Sequence, residues 1–114
     1  MIVSRGETWL ADLNPTKGSE QSGTGPVLIF QNNSINRFTY TFLTIPLTTN
    51  LRRASLPTCL LVRQGQGGLD KDSVALCHQL RVLDSMRLKR RPGVVSDDVM
   101  TAVESCVAFT TGMV

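Results

Sequence analysis

Histidine is nearly missing from this chain: His78 is the only one in 114 residues, and aromatic side chains account for 5%. A two-histidine acid–base ribonuclease, or a Ser-His-Asp hydrolase, therefore has little material here. The plain reading of His78 is a strand residue with a satisfied ring. Cysteine is scarce and odd in number, with Cys59, Cys77 and Cys106 each set among apolar neighbours such as Leu60-Leu61-Val62. That argues against a disulfide framework and for buried free thiols in a reducing compartment. No pair of Cys or His has metal-ligand spacing. Asp70 with Asp72, and Asp97 with Asp98, are better explained by a turn and a helix start than by Mg²⁺. No apolar run approaches the ~20 residues that cross a bilayer, and Met1 to Leu10 carries Arg5 and Glu7 where a signal peptide needs apolar residues. The expectation is a soluble, cytoplasmic protein with a single domain over residues 1–114.

Nor does one sign of charge dominate. Twelve Lys and Arg against nine Asp and Glu leave +3, which is compatible with a polyanionic partner without requiring one. The basic residues gather at Arg52-Arg53 and at Arg87, Lys89, Arg90 and Arg91, with Arg37 apart. The denser cluster reads as solvated surface.

With few aromatics, Val, Leu and Ile must fill the interior, a palette suited to a small β-rich core. Trp9, Ala11 and Leu13 alternate and mark a first strand over 7–13, ended by Asn14-Pro15. A glycine-broken loop over 16–25 leads to Val27-Leu28-Ile29-Phe30, a run that predicts a strand over 26–31 buried on both faces. Residues 32–37 carry turn chemistry and room for one helical turn. A third strand is expected over 39–47, with Pro46 pointing to an edge or a bulge. Further strands are expected over 58–63 and 73–83, separated by the glycine-rich hairpin 65–68. Ser85 to Arg90 suits a short helix closed by Pro92-Gly93, followed by extended Val94-Val95. Ser96 is a plausible N-cap, with Asp97 and Asp98 in the first turn and Val99, Val103, Cys106 and Val107 at helical spacing. The pattern predicts a mostly β domain with a C-terminal helix.

What remains for chemistry is a set of polar side chains at strand ends: Ser19, Glu20 and Gln21 before the second strand, Asn32 after it, Thr48 after the third, and Gln79. Turn capping alone would account for them. Three stretches add to that reading: "RGETWLADLNPTKGSEQ" (5–21), "PVLIFQNNSINRF" (26–38) and "GLDKDSVALCHQLRVLD" (68–84). In this order they make the chain resemble, over essentially its whole length, the MazF/PemK family of toxin endoribonucleases. The resemblance implies an SH3-like small β-barrel, the fold of CcdB-like toxins, and a homodimer with single-stranded RNA in a groove between subunits. It also implies cleavage that needs no metal or other cofactor, and a cognate antitoxin whose acidic C-terminal tail fills the same groove. By position it makes Thr48 and Glu20 catalytic and gives Ser19, Gln21, Asn32 and Gln79 contacts to RNA.

One position departs from the family pattern. Before the proline that opens the second strand the family has a catalytic arginine, and here that position is Gly25. Cleavage of RNA builds charge on phosphoryl oxygens, and one lost preorganised donor costs roughly 10²- to 10³-fold in rate. The expectation is an impaired or inactive nuclease, with three readings of Gly25 left open. Arg37 or Arg52-Arg53 could supply the charge from another loop. The chain could be a natural non-cleaving relative. The glycine could be a selected or designed inactivation, one base away from an arginine codon. The rival function is a non-catalytic module on the same scaffold that binds antitoxin, RNA or gyrase.

Overall fold

A computed structural model describes all 114 residues. The alternation near the N-terminus forms β1 (Glu7–Asp12), with Trp9, Ala11 and the following Leu13 buried on one face. It pairs antiparallel with β2 (Thr24–Ile29), which starts two residues earlier than the strand expected over 26–31 and so takes in Gly25, opposite Ala11. One helical turn, α1 (Asn33–Asn36), separates β2 from β3 (Thr41–Thr48). β4 (Cys59–Val62) and β5 (Ser73–Leu76) form a hairpin across the glycine-rich turn. β6 (Arg81–Asp84), β7 (Leu88–Val94) and the helix α2 (Asp97–Thr111) complete the chain.

The strands run β4-β5-β3-β2-β1-β7, with β6 pairing on β3 alongside β5. The turn from β6 to β7 draws the two ends of the sheet toward each other, giving a curled, barrel-like sheet without a hydrogen-bonded seam. One core fills the curl, with Trp9, Ala11, Val27, Ile29, Phe42 and Leu88 among its members. A second lies on the other face, where Leu28, Ile45 and Leu47 meet Met100, Val103 and Val107 of α2. Burying each such α2 side chain stabilises the fold by about 1.5–3 kcal/mol.

Three sequence expectations need correction. Pro46 is on neither an edge nor a bulge: β3 is central, pairing with β2 on one side, and Pro46 is buried. On its other side β3 pairs with β6 as far as Thr44 and with β5 from Leu47, so the missing N–H falls at the change of partner. The segment 73–83 is two strands, broken by a 3₁₀ turn over Cys77–Gln79 that carries the chain from one partner segment of β3 to the other. His78 therefore sits on a turn, with Nδ1 3.2 Å from the Thr58 hydroxyl. Residues 85–90 are not a helix. A 3₁₀ turn, Ser85–Arg87, leads directly into β7, which buries Leu88 and pairs only with β1. Lys89, Arg90, Arg91 and Pro92 are what an exposed edge strand carries to resist further pairing.

Candidate functional site

The loop between β1 and β2 is fixed at its base. The Leu13 N–H donates to the Gly23 carbonyl at 2.9 Å, and the Asn14 side chain accepts from the Gly23 N–H at 3.2 Å. Two arginines clamp the carbonyls on this side. Arg81 Nη1 donates to Leu13 O at 3.2 Å, and Arg87 Nη1 donates to Asp12 O at 3.2 Å and to Asn14 O. The cluster from Arg87 to Arg91 is thus not simply solvated surface. Arg87 holds the loop, and Arg91 Nη1 pairs at 2.7 Å with the buried Glu7 carboxylate, which also accepts from Trp9 Nε1 and the Ser4 N–H.

Gln79 pins the outer part of the loop. Its Oε1 accepts the Gln21 N–H at 2.7 Å and its Nε2 donates to Ser19 O at 3.3 Å, bridging nearly sixty residues of sequence. Glu20 caps its own turn by accepting the Lys17 N–H at 2.6 Å through Oε1. Ser19, Glu20 and Gln21 are thereby held against the start of β6, beside a cavity of about 210 Å³ lined by Glu20, Gln21, His78, Gln79, Leu80 and Arg81.

Register places the other two residues. β2 and β3 pair Val27 with Pro46, and the same register continued by two residues sets Thr48 opposite Gly25. Opposed residues in an antiparallel pair share a face, so Thr48 and Gly25 project on the side of the sheet that Val27 and Ile29 occupy. Thr48 is half-buried at the end of β3, and its Oγ1 accepts the Asn50 N–H at 3.2 Å. The backbone at Gly25 is not left-handed, and a Cβ built there meets nothing within 4 Å. Nothing local in the fold requires glycine.

Not every candidate joins them. Asn32 lies beyond the opposite end of β2, where its Oδ1 caps α1 by accepting the Ser34 N–H at 2.8 Å. Arg37 ends the same helical turn and faces Phe38, Tyr40 and Met1. Arg52 and Arg53 are closer in sequence to the site, on the 3₁₀ turn Leu51–Ser55 that follows Thr48 and Asn50, and neither forms an ion pair. Two residues absent from the sequence-based set, His78 and Arg81, line the cavity beside Glu20. Their signal lay in "CHQLRVLD", where they flank Gln79 at short range.

These features define a class: a small barrel-like protein with polar side chains at its strand ends and one pinned loop between its first two strands. The model of PemK-like, MazF-like toxins of type II toxin-antitoxin systems matches residues 4–110. The Endoribonuclease MazF of Staphylococcus saprophyticus is 38% identical over 112 residues, 98% of this chain and 93% of that protein. Among solved structures, MazF from Deinococcus radiodurans superposes with a TM-score of 0.84 at 23% identity, covering 99% of each chain. An endoribonuclease in complex with its cognate antitoxin from Mycobacterial species gives 0.83 at 24% identity, with 98% and 97% covered. The structural likenesses establish the fold, and the family model and the Staphylococcus relative establish kinship. The chain belongs to the PemK-like, MazF-like toxin family.

Proposed function

We propose that this chain is built to cleave single-stranded RNA at the rim where Thr48 faces position 25, and that Gly25 leaves it impaired. The reaction is transesterification by side chains alone. The ribose 2′-oxygen bonds to the neighbouring phosphorus as its proton leaves, and the P–O5′ bond breaks as the 5′-oxygen gains a proton, giving a cyclic phosphate and a 5′-hydroxyl. What supports this reading is the β2–β3 register, which continued two residues past Val27 and Pro46 brings Thr48 toward Gly25, together with the pinned Ser19–Gln21 loop that leads into β2. The relative named an endoribonuclease supports the reaction class.

Local hydrogen bonding suggests the roles. Because the Thr48 oxygen already accepts the Asn50 N–H, its own hydrogen is free to donate to a phosphoryl oxygen. Glu20 has one oxygen engaged by Lys17 and one free to accept the 2′-hydroxyl proton. Ser19 and the Gln21 side chain are free for RNA, whereas Gln79 acts by holding the loop. Asn32, at the far end of β2, would meet RNA only where the strand runs on along a groove shared with the second copy of a homodimer. An antitoxin with an acidic tail suits the +3 net charge, and the relative solved with its cognate antitoxin supports such a partner.

Gly25 itself favours a second reading, a toxin-family protein that binds RNA or antitoxin without cutting. Primer extension on a long transcript separates the two. The cleavage reading expects discrete stops with Gly25→Arg and few or none with the parent; a folded Gly25→Arg protein that binds the transcript and leaves it intact supports the binding module instead.

A further inference from the structure

With position 25 uncharged, Arg81 stands out as a cation beside the site. It opens β6 opposite Thr44, which is itself opposite Ile29, so Arg81 shares the sheet face on which Thr48 and Gly25 project. It is half-buried and lines the 210 Å³ cavity. One guanidinium nitrogen, Nη1, holds Leu13 O, while Nη2 and Nε have no partner in the fold. The chain forms three ion pairs, Arg5–Glu104, Arg63–Asp72 and Arg91–Glu7, and Arg81 is in none of them. Glu20 lies on the same cavity wall, but its Oε1 is committed to Lys17 and it makes no bridge to Arg81. His78 Nδ1 faces Thr58, which leaves Nε2 on the remaining side of the ring. At 210 Å³ the cavity is smaller than the ~300–1,000 Å³ of ordinary ligand pockets, a size for one phosphate or one base.

We propose that this cavity is a flanking phosphate subsite, with Arg81 as its anion-binding residue. The inference rests on the RNA-cleavage reading and extends it. Distance separates the subsite from the cleavage point: Thr44, the partner of Arg81, is four residues from Thr48, roughly 13 Å along an extended strand. Arg81 is therefore too far along β3 to replace a guanidinium at position 25. It serves a phosphate farther along the same strand of RNA, on the side of the loop, and it binds that phosphate while keeping the loop carbonyl in place. The charge not neutralised inside the fold is then neutralised by substrate. A cation on a half-buried wall, with donors left over after its structural bond, is suited to that task.

The test is the salt dependence of binding to a single-stranded oligodeoxynucleotide, which lacks the attacking 2′-hydroxyl and stays intact throughout. Arg81→Gln and Arg81→Lys are compared with the parent, each checked for folding by thermal melting. If Arg81 neutralises a phosphate, the slope of log affinity against log salt becomes shallower by about 0.7 in Arg81→Gln and stays at the parent value in Arg81→Lys. A folded Arg81→Gln protein with the parent slope overturns the subsite while leaving the RNA reading intact. Should Arg81→Gln fail to fold, Arg81→Met takes its place, keeping the side chain's length without its charge: a slope shallower by about 0.7 supports the assignment, and the parent slope overturns it. If the parent itself binds neither the oligodeoxynucleotide nor RNA of the same sequence at any salt, both readings fail together.

Discussion

Gly25 and Gly68, the latter in the glycine-rich turn packed against β7, show how differently one residue type can be used. At position 25 the backbone is ordinary and the space is open, so Gly25→Arg should fold as well as the parent, with a change in stability within ~0.5 kcal/mol by urea midpoint. Gly68 is the opposite case. Its φ is +68° and a Cβ there would lie 2.3 Å from the Pro92 carbonyl oxygen, an atom fixed in β7. Both left-handed strain and a backbone clash act on Gly68→Ala, which should lose at least ~2 kcal/mol in the same measurement. A loss below ~0.5 kcal/mol would mean that β7 can move away from the glycine turn. The pair separates a glycine the fold demands from one it merely tolerates, and only the tolerated one sits at the site.

Among the elements, α2 was readable because its signals agreed. Ser96 does cap it, accepting the Val99 N–H at 3.2 Å, and Gly112 ends it in the left-handed conformation at φ +77°. Ser96→Ala should cost about 1 kcal/mol by thermal or urea unfolding, and Ser96→Asp should recover most of it. β1 was equally plain, since Trp9, Ala11 and Leu13 alternate into one core. The break at Cys77–Gln79 was not legible, because Val74 to Cys77 are all buried and no Gly or Pro punctuates the segment. β7 was hidden for a related reason. It is an edge strand in which Lys89, Arg90 and Arg91 are exposed in succession, Arg91 while reaching back to the Glu7 carboxylate, so period-two alternation never shows, and helix chemistry is the natural reading of Ser85 to Arg90. The candidate site divides the same way. Thr48, Glu20 and Gln21 enter it through the resemblance to the family, whereas Arg81 reads as an ordinary strand residue in sequence and only the fold of β6 against β3 brings it to the loop.

Across the whole molecule, the three thiols that look scattered in sequence converge where the sheet meets α2. Cys106 Sγ contacts Cys59 O at 3.7 Å, and Cys77 is wholly buried in the core under the helix. Burial pushes the Cys77 thiol up from 9.0 to about 12, and burial also raises Cys106. Because the folded state holds these thiols protonated, their contribution to stability is full below about pH 9 and is lost as pH rises toward 12. Unfolding midpoints should therefore be level from pH 7 to 8.5 as far as the thiols are concerned and fall above pH 9.5. Labelling with a thiol reagent at pH 8 should leave Cys77 unmodified until the chain is unfolded; rapid labelling of Cys77 in the folded protein would show that α2 opens easily.

Single-turnover cleavage of one RNA by three folded proteins, the parent, Gly25→Arg, and Gly25→Arg with Thr48→Ala, tests the convergence of these groups most directly. The expected result is a gain of about 10²- to 10³-fold from the arginine, with products ending in a cyclic phosphate and a 5′-hydroxyl, and loss of most of that gain when the Thr48 hydroxyl is removed. A Gly25→Arg protein no faster than the parent, or one whose gain survives the loss of the hydroxyl, would contradict the assignment of position 25 and Thr48 to one phosphodiester.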